Sequence, residues 1–253
     1  MVSPLPELRV LRDSFADRPA FGTAVSEAVL QLVAAHELGP TLRLHRPGRE
    51  LALSKQDASS RGYEAAVETG RAAGYEPVLR LAGGRAAAFH ERTLAFSMAT
   101  PDARAASGTQ ARFERSATWI RDSLGSLGVD ARVGEVPGEY CPGAWSVNAG
   151  GRTKLVGIGQ RLISGGAHVG GVIVVGDSAG LRDLLIGVYA ALELDWDPAT
   201  VGSVEDELGP TPLDLVEDAI LAELSRDFRL EPAELGANVL ERAAELEDAR
   251  MAA

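Results

Sequence analysis

Apolar residues recur every three to four positions over Pro19–Ala35, where Phe21, Val25, Ala28 and Leu32 share one face, and this spacing predicts a core helix. The same period over Arg112–Leu127 groups Phe113, Ala117, Ile120, Leu124 and Leu127 and predicts an amphipathic helix. Between these two the pattern shortens. Thr41–Leu44 and Leu51–Ser54 read as strands around a Pro-Gly turn, and Tyr75–Leu81 and Thr93–Ala99 as further strands. Ser60–Ala73 reads as a helix that stops at Gly74, with cap candidates in Asp57–Ser60. Val129–Glu139 reads as loop, Ala144–Ala149 as a short strand, and Gly150-Gly151 as a turn before a strand that Lys154 opens. Leu181–Leu194, Leu213–Phe228 and Pro232–Glu247 carry helical spacing. Hairpin-linked strands in the middle, with helices before and after, predict an α+β fold whose mixed or antiparallel sheet is flanked by helices.

The 253 residues suffice for one large domain with a small appendage. Charge suggests where to divide them. Of a net −11, residues 203–253 hold 14 acidic and 4 basic side chains, whereas residues 80–161 hold 11 basic and 7 acidic. We therefore expect a catalytic-type body over residues 1–202 and an acidic helical C-terminal appendage over 203–253. This charge balance argues against nucleic acid as a partner. No apolar run reaches membrane-spanning length and the first residues lack a signal-peptide core, so no membrane association and a cytoplasmic location are expected. A single cysteine excludes an intramolecular disulfide and a multi-cysteine metal site, and His36-Glu37 lacks a second histidine at metalloprotease spacing, so no metal is expected.

That cysteine, Cys141, lies between Tyr140 and Pro142-Gly143. Proline biases the residue before it towards extended angles, so the thiol is expected on a loop. Lys154, one of two lysines against 23 arginines, follows on the same predicted hairpin. Lysine is a compact charge that loses its proton more readily than guanidinium when buried, and a cation beside a thiol favours thiolate. The pair is a candidate nucleophile and electrostatic partner, although a lone cysteine is more often a small buried hydrophobe. Upstream, Gly83-Gly84 follows a predicted strand and is bracketed by Arg80 and Arg85, a setting for an anion or polar head group; the same residues also suit a plain glycine turn. His90 is a candidate base or a structural donor. Gly176-Asp-Ser178-Ala-Gly180 matches the G-x-S-x-G elbow of serine hydrolases, but all four histidines precede Ser178, and a helix cap at Asp177 or Ser178 is the better reading.

Arg80-Leu-Ala-Gly-Gly-Arg-Ala-Ala-Ala-Phe-His90 and Gly151-Arg-Thr-Lys-Leu-Val-Gly-Ile-Gly-Gln160 together resemble the two signatures of the lipoate/biotin protein ligase catalytic family, and Leu51–Asp57 is similar to its earlier strand ending in glutamine. Tyr-Cys-Pro-Gly before the lysine hairpin narrows the resemblance to the cysteine-dependent octanoyltransferases that act between the glycine cleavage H protein and other lipoyl domains. The resemblance implies a class II aminoacyl-tRNA synthetase-like α+β domain. It implies Cys141 as carrier of the acyl thioester and Lys154 as holder of the acyl carbonyl. Arg80, Gly83, Gly84, Arg85, Ala86 and His90, with Gly157, Ile158, Gly159 and Gln160, would bind substrate. The implied partners are lipoyl-domain proteins, among them the H protein and E2 subunits, together with the octanoyl or lipoyl group, and no cofactor is implied. Two departures stand out: Ala82 replaces the family's serine, and Arg85 occupies a usually small position. An ATP- and Mg-dependent lipoate ligase, or a non-catalytic acyl-binding protein, are the alternatives on the same fold.

Overall fold

The computed structural model describes residues 4–252. In chain order it contains β1 (Glu7–Leu11), α1 (Pro19–Ala34), β2 (Thr41–His45), β3 (Glu50–Leu53), α2 (Lys55–Ala58), α3 (Tyr63–Ala72), β4 (Glu76–Leu79) and β5 (Ala87–Phe89). These are followed by β6 (Thr93–Pro101), α4 (Thr109–Ser126), β7 (Ala131–Val133), β8 (Val147–Ala149), β9 (Thr153–Ile163), β10 (Gly166–Val174) and α5 (Ser178–Ala191). The chain closes with α6 (Val204–Leu208), α7 (Leu213–Leu224), β11 (Arg229–Pro232) and α8 (Ala237–Leu246).

The strands form an eight-stranded sheet in the order β11-β1-β2-β6-β10-β9-β8-β7 and a three-stranded sheet in the order β4-β3-β5. Within the large sheet β1 runs parallel to β2 and β11 and the remaining pairs are antiparallel; in the small one β3 is parallel to β4 and antiparallel to β5. This is the expected α+β class. Helix α1 buries Phe21, Val25, Ala28 and Leu32 among the α8 residues Val239 and Ala243. Helix α4 buries Ala117, Ile120 and Leu124 against the sheet together with Val216, Ile220 and Leu224 of α7. Helices α3 and α5 cover the small sheet, with Val67 and Leu185 in its core.

Residues 203–252 differ from the appendage read from charge. Strand β11 extends the large sheet beside β1, and α7 and α8 bury their apolar faces in the same clusters as α4 and α1. The acidic residues mark only the outward faces of these helices, and periodicity does not say which surface the inward faces meet. Strands β1 and β11 were not legible because each is short and pairs far along the chain. Among the described residues, no helix is long and apolar enough to cross a membrane, and no cluster of three or more His, Cys, Asp or Glu residues is arranged to hold a metal.

Candidate active site

Strand β8 pairs with β9 only as far as Val147 opposite Val156. From Gly157 onward the edge of β9 borders a cavity of about 440 Å³ instead of another strand. The Arg80–Gly84 loop forms one wall and the start of α4, with Thr109 and Phe113, forms another; Phe89, Trp145, Ile158, Leu162 and Val172 make the lining mainly apolar. The volume lies within the range of about 300–1,000 Å³ usual for small-molecule sites.

Cys141 stands half-buried at this cavity. Its φ is +43°, in the left-handed region, in contrast to the extended geometry that Pro142 leads one to expect. A non-glycine residue held there costs on the order of 1–3 kcal/mol and needs surroundings that enforce it. Those surroundings are visible on both sides of the residue. Its N–H donates to the Tyr189 hydroxyl (2.7 Å), and its carbonyl accepts from Lys154 Nζ (2.7 Å). The Tyr189 hydroxyl in turn donates to the Ala86 carbonyl (2.9 Å), and burial raises its pKa well above the ordinary phenol value, so it stays protonated.

Two donors reach the sulfur. The Arg85 N–H points at Sγ from 3.1 Å, and Arg80 Nη1, which also donates to the Arg85 carbonyl at 2.9 Å, lies 3.7 Å away. Behind Arg80 sits Glu50, whose carboxyl burial pushes up to about 8 despite the opposing pull of Arg80 and Arg43. At neutral pH this carboxyl is therefore uncharged, and the Arg80 charge is left for the sulfur side. Gly84 allows the close approach: its φ is +113°, and a Cβ there would lie 2.8 Å from Sγ.

Lys154 converges on Cys141, as the hairpin leads one to expect, but through the backbone. Its side chain is 1 % exposed, and Nζ donates to Glu139 Oε1 (2.9 Å) and to the carbonyls of Tyr140 (3.0 Å) and Cys141 (2.7 Å). With three N–H groups, the ammonium is fully committed, and the cation within reach of the thiol is Arg80 instead.

The cavity brings together Arg80, Gly83, Gly84, Cys141, Lys154, Gly157, Ile158, Gly159 and Gln160. The other three expected residues sit elsewhere. Arg85 offers its backbone to the sulfur while its side chain reaches Asp57 Oδ1 (3.4 Å), and Ala86 lends only its carbonyl to Tyr189. His90 is buried in the turn between β5 and β6, where its Nδ1 accepts from the Arg92 N–H (3.1 Å), and burial lowers its pKa; it does not line the cavity. Gln160 lines the cavity but its amide is engaged: Oε1 accepts from Arg112 Nε (3.1 Å) and Nε2 donates to the Thr109 carbonyl (2.7 Å), pinning α4 to β9. In the G-x-S-x-G segment, Asp177 caps α5 by accepting from the Gly180 N–H (3.1 Å), and Ser178 lies outside the cavity. Sequence reasoning missed Glu139 and Tyr189. A tyrosine on an apolar helix face signals a phenol in need of a buried partner, and that clue was available for Tyr189.

Solved structures of lipoate protein ligases share this fold. The crystal structure of lipoate-protein ligase A bound with ATP matches it with a TM-score of 0.78 at 21% identity, covering 96% of this chain and 94% of that one. A bipartite lipoate protein ligase from Thermoplasma acidophilum, solved in work on that ligase and its E2 lipoyl domain, gives 0.74 at 20% identity over 96% and 92%. At these identities the likeness is one of fold. Residues 18–225 match the model of the lipoyl protein ligase A/B catalytic domain, and the chain belongs to that family. It is an acyl-transferring enzyme. Among curated relatives, the octanoyl-[GcvH]:protein N-octanoyltransferase of Geobacillus kaustophilus is 26% identical over 228 residues, 86% of this chain and 79% of that protein. The protein of the same name from Anoxybacillus flavithermus is 30% identical over 172 residues, 68% of this chain and 61% of that protein.

Proposed function

We propose that this chain is a cysteine-dependent octanoyl or lipoyl transferase that moves the acyl group between lysines of lipoyl-domain proteins, with an H-type carrier as donor and E2-type domains as acceptors. The observation that carries the reading is the thiol of Cys141 in the lining of an apolar cavity, with the Arg85 N–H and the Arg80 guanidinium both directed at its sulfur. Such donors suit a thiolate nucleophile.

In the first half-reaction the sulfur attacks the acyl carbonyl, a C–S bond forms, the amide C–N bond breaks, and the donor lysine leaves as an amine carrying the proton the thiol gave up. In the second, the acceptor amine forms the new C–N bond, the C–S bond breaks, and the amine's proton returns to sulfur. Amide is exchanged for amide, so the balance needs no ATP. The Arg80 and Arg85 donors lie at the sulfur, where they favour the thiolate that begins the attack. Lys154 holds the nucleophile's peptide. At about 0.8 kcal/mol per buried methylene, an octanoyl tail gains roughly 5 kcal/mol from an apolar slot.

The test is intact-protein mass spectrometry after mixing the enzyme with an octanoylated H-type carrier. The reading requires an octanoyl adduct on Cys141 in the absence of ATP, with neither adduct nor transfer in a Cys141→Ala variant. Strict dependence on ATP would select a lipoate ligase instead, and tight octanoate binding without turnover a non-catalytic acyl-binding protein.

A further inference from the structure

The proposed reaction leaves one buried charge without a task. Glu139 is 3 % exposed, two residues before the nucleophile, and its carboxylate accepts four hydrogen bonds. Oε2 takes the Val136 N–H (3.0 Å); Oε1 takes the Gly143 N–H (3.1 Å), the Ser146 hydroxyl (2.5 Å) and Lys154 Nζ (2.9 Å). Taking a carboxylate and an ammonium out of water costs several kcal/mol per ion, and mutual attraction alone often fails to offset it. The placement gives this pair a purpose. The carboxylate ties together the chain before Cys141, at Val136, and the chain after it, at Gly143 and Ser146, and joins both to an ammonium that rises from β9 and also grips the Tyr140 and Cys141 carbonyls. The left-handed backbone of Cys141 is thus clamped to the strand that lines the acyl cavity.

Resting on the transferase reading, we propose that Glu139 is a positioning residue: it fixes the Lys154 ammonium under the nucleophile's peptide and so sets where the Cys141 sulfur stands. Its contact with the reacting atoms is indirect, through Lys154. The other titratable groups facing this pair are the Tyr140 phenol, whose ring centroid lies 4.9 Å from Nζ, and Cys141 itself, with Arg80 across the sulfur. None of these replaces the carboxylate as a negative partner for the ammonium, because burial keeps the phenol protonated and the sulfur is directed towards Arg80.

The composition supplies a direct readout. The chain has two lysines and one cysteine, so ¹³C-lysine labelling gives two side-chain signals, with exposed Lys55 as the internal reference, and alkylation reports on Cys141 alone. Glu139→Gln leaves a buried ammonium without its counter-charge. The Lys154 signal is then expected to lose its proton at lower pH than in the wild-type chain while Lys55 is unchanged, and thioester formation should fall about 10- to 100-fold in kcat with little change in KM. In a Lys154→Met background the same substitution should add little further loss. Glu139→Asp keeps the charge and withdraws it by one methylene; it should fold like the wild type and acylate at an intermediate rate. An unchanged Lys154 titration in Glu139→Gln, a wild-type acylation rate in folded Glu139→Asp, or full additivity with Lys154→Met would each overturn the assignment. The titration uses no substrate, so it decides the role of Glu139 even if the wild-type chain forms no octanoyl thioester, an outcome that would count against the transferase reading alone.

Discussion

The hydroxyl of Tyr189 and the backbone nitrogen of Cys141 lie 2.7 Å apart, although 48 residues separate them. Through the same oxygen Tyr189 reaches the Ala86 carbonyl, so one phenol joins the thiol's loop to the Gly83-Gly84 loop that supplies the sulfur's donor. Tyr189→Phe leaves both backbone groups without this partner. The expected cost is about 1–3 kcal/mol in stability and a fall of roughly tenfold or more in thioester formation. Thermal unfolding and single-turnover acylation check this.

Gly84 has room for a hydrogen and nothing larger. With φ at +113° and a notional Cβ 2.8 Å from Sγ, Gly84→Ala must shift either the loop or the sulfur. We expect acylation to drop about 100-fold or more, alongside a loss of about 1–2 kcal/mol in stability. Ala82, two residues earlier in the same loop, should accept serine with far less effect.

Arg80 combines two contacts that lysine cannot reproduce together, the Arg85 carbonyl and the sulfur. Arg80→Lys is expected to slow alkylation of Cys141 by iodoacetamide at neutral pH by roughly three- to tenfold, and Arg80→Gln by more. Equal alkylation rates in all three proteins would remove Arg80 from the thiol's electrostatics.

Much of the site was legible before the fold was known, for reasons that are local. A cysteine before Pro-Gly, a glycine turn and a lysine at a strand start specify a hairpin within fifteen residues, and the apolar periods of α1 and α4 identify their buried faces. What escaped is long-range. Glu7 of β1 meets Arg229 of β11 across 222 residues, and no local pattern announces a parallel pair of that kind. The division of labour around Cys141 escaped for a related reason. Sequence proximity suggested Lys154 as the sulfur's partner, yet the three acceptors that Glu139 and the loop backbone present to Nζ claim it, and Arg80, 61 residues upstream, takes its place. The family pattern suggests His90 for binding, but its imidazole accepts from the Arg92 N–H inside a tight turn that the His90 N–H closes onto the Thr93 hydroxyl.

Glu50 makes stability depend on pH in a defined direction. Burial raises its carboxyl from 4.5 to about 8, so between these values the folded state holds a proton that the unfolded state has lost. Its contribution is full below pH 4.5 and disappears as pH rises through about 8. Glu50→Gln removes that dependence. Relative to the wild type, the variant should gain at pH 8 compared with pH 5 by about 1 kcal/mol or more, roughly 2–4 °C in Tm. A Tm difference independent of pH would contradict the buried neutral carboxyl, and with it the free charge assigned to Arg80.

The covalent role of Cys141 is tested most directly by the mass of the intact protein after exposure to an octanoylated lipoyl-domain carrier without ATP. The expected result is one octanoyl group per chain, located on Cys141 and discharged when an acceptor lipoyl domain is added. An unmodified chain that still transfers the acyl group, or a Cys141→Ala variant that does so, would contradict it.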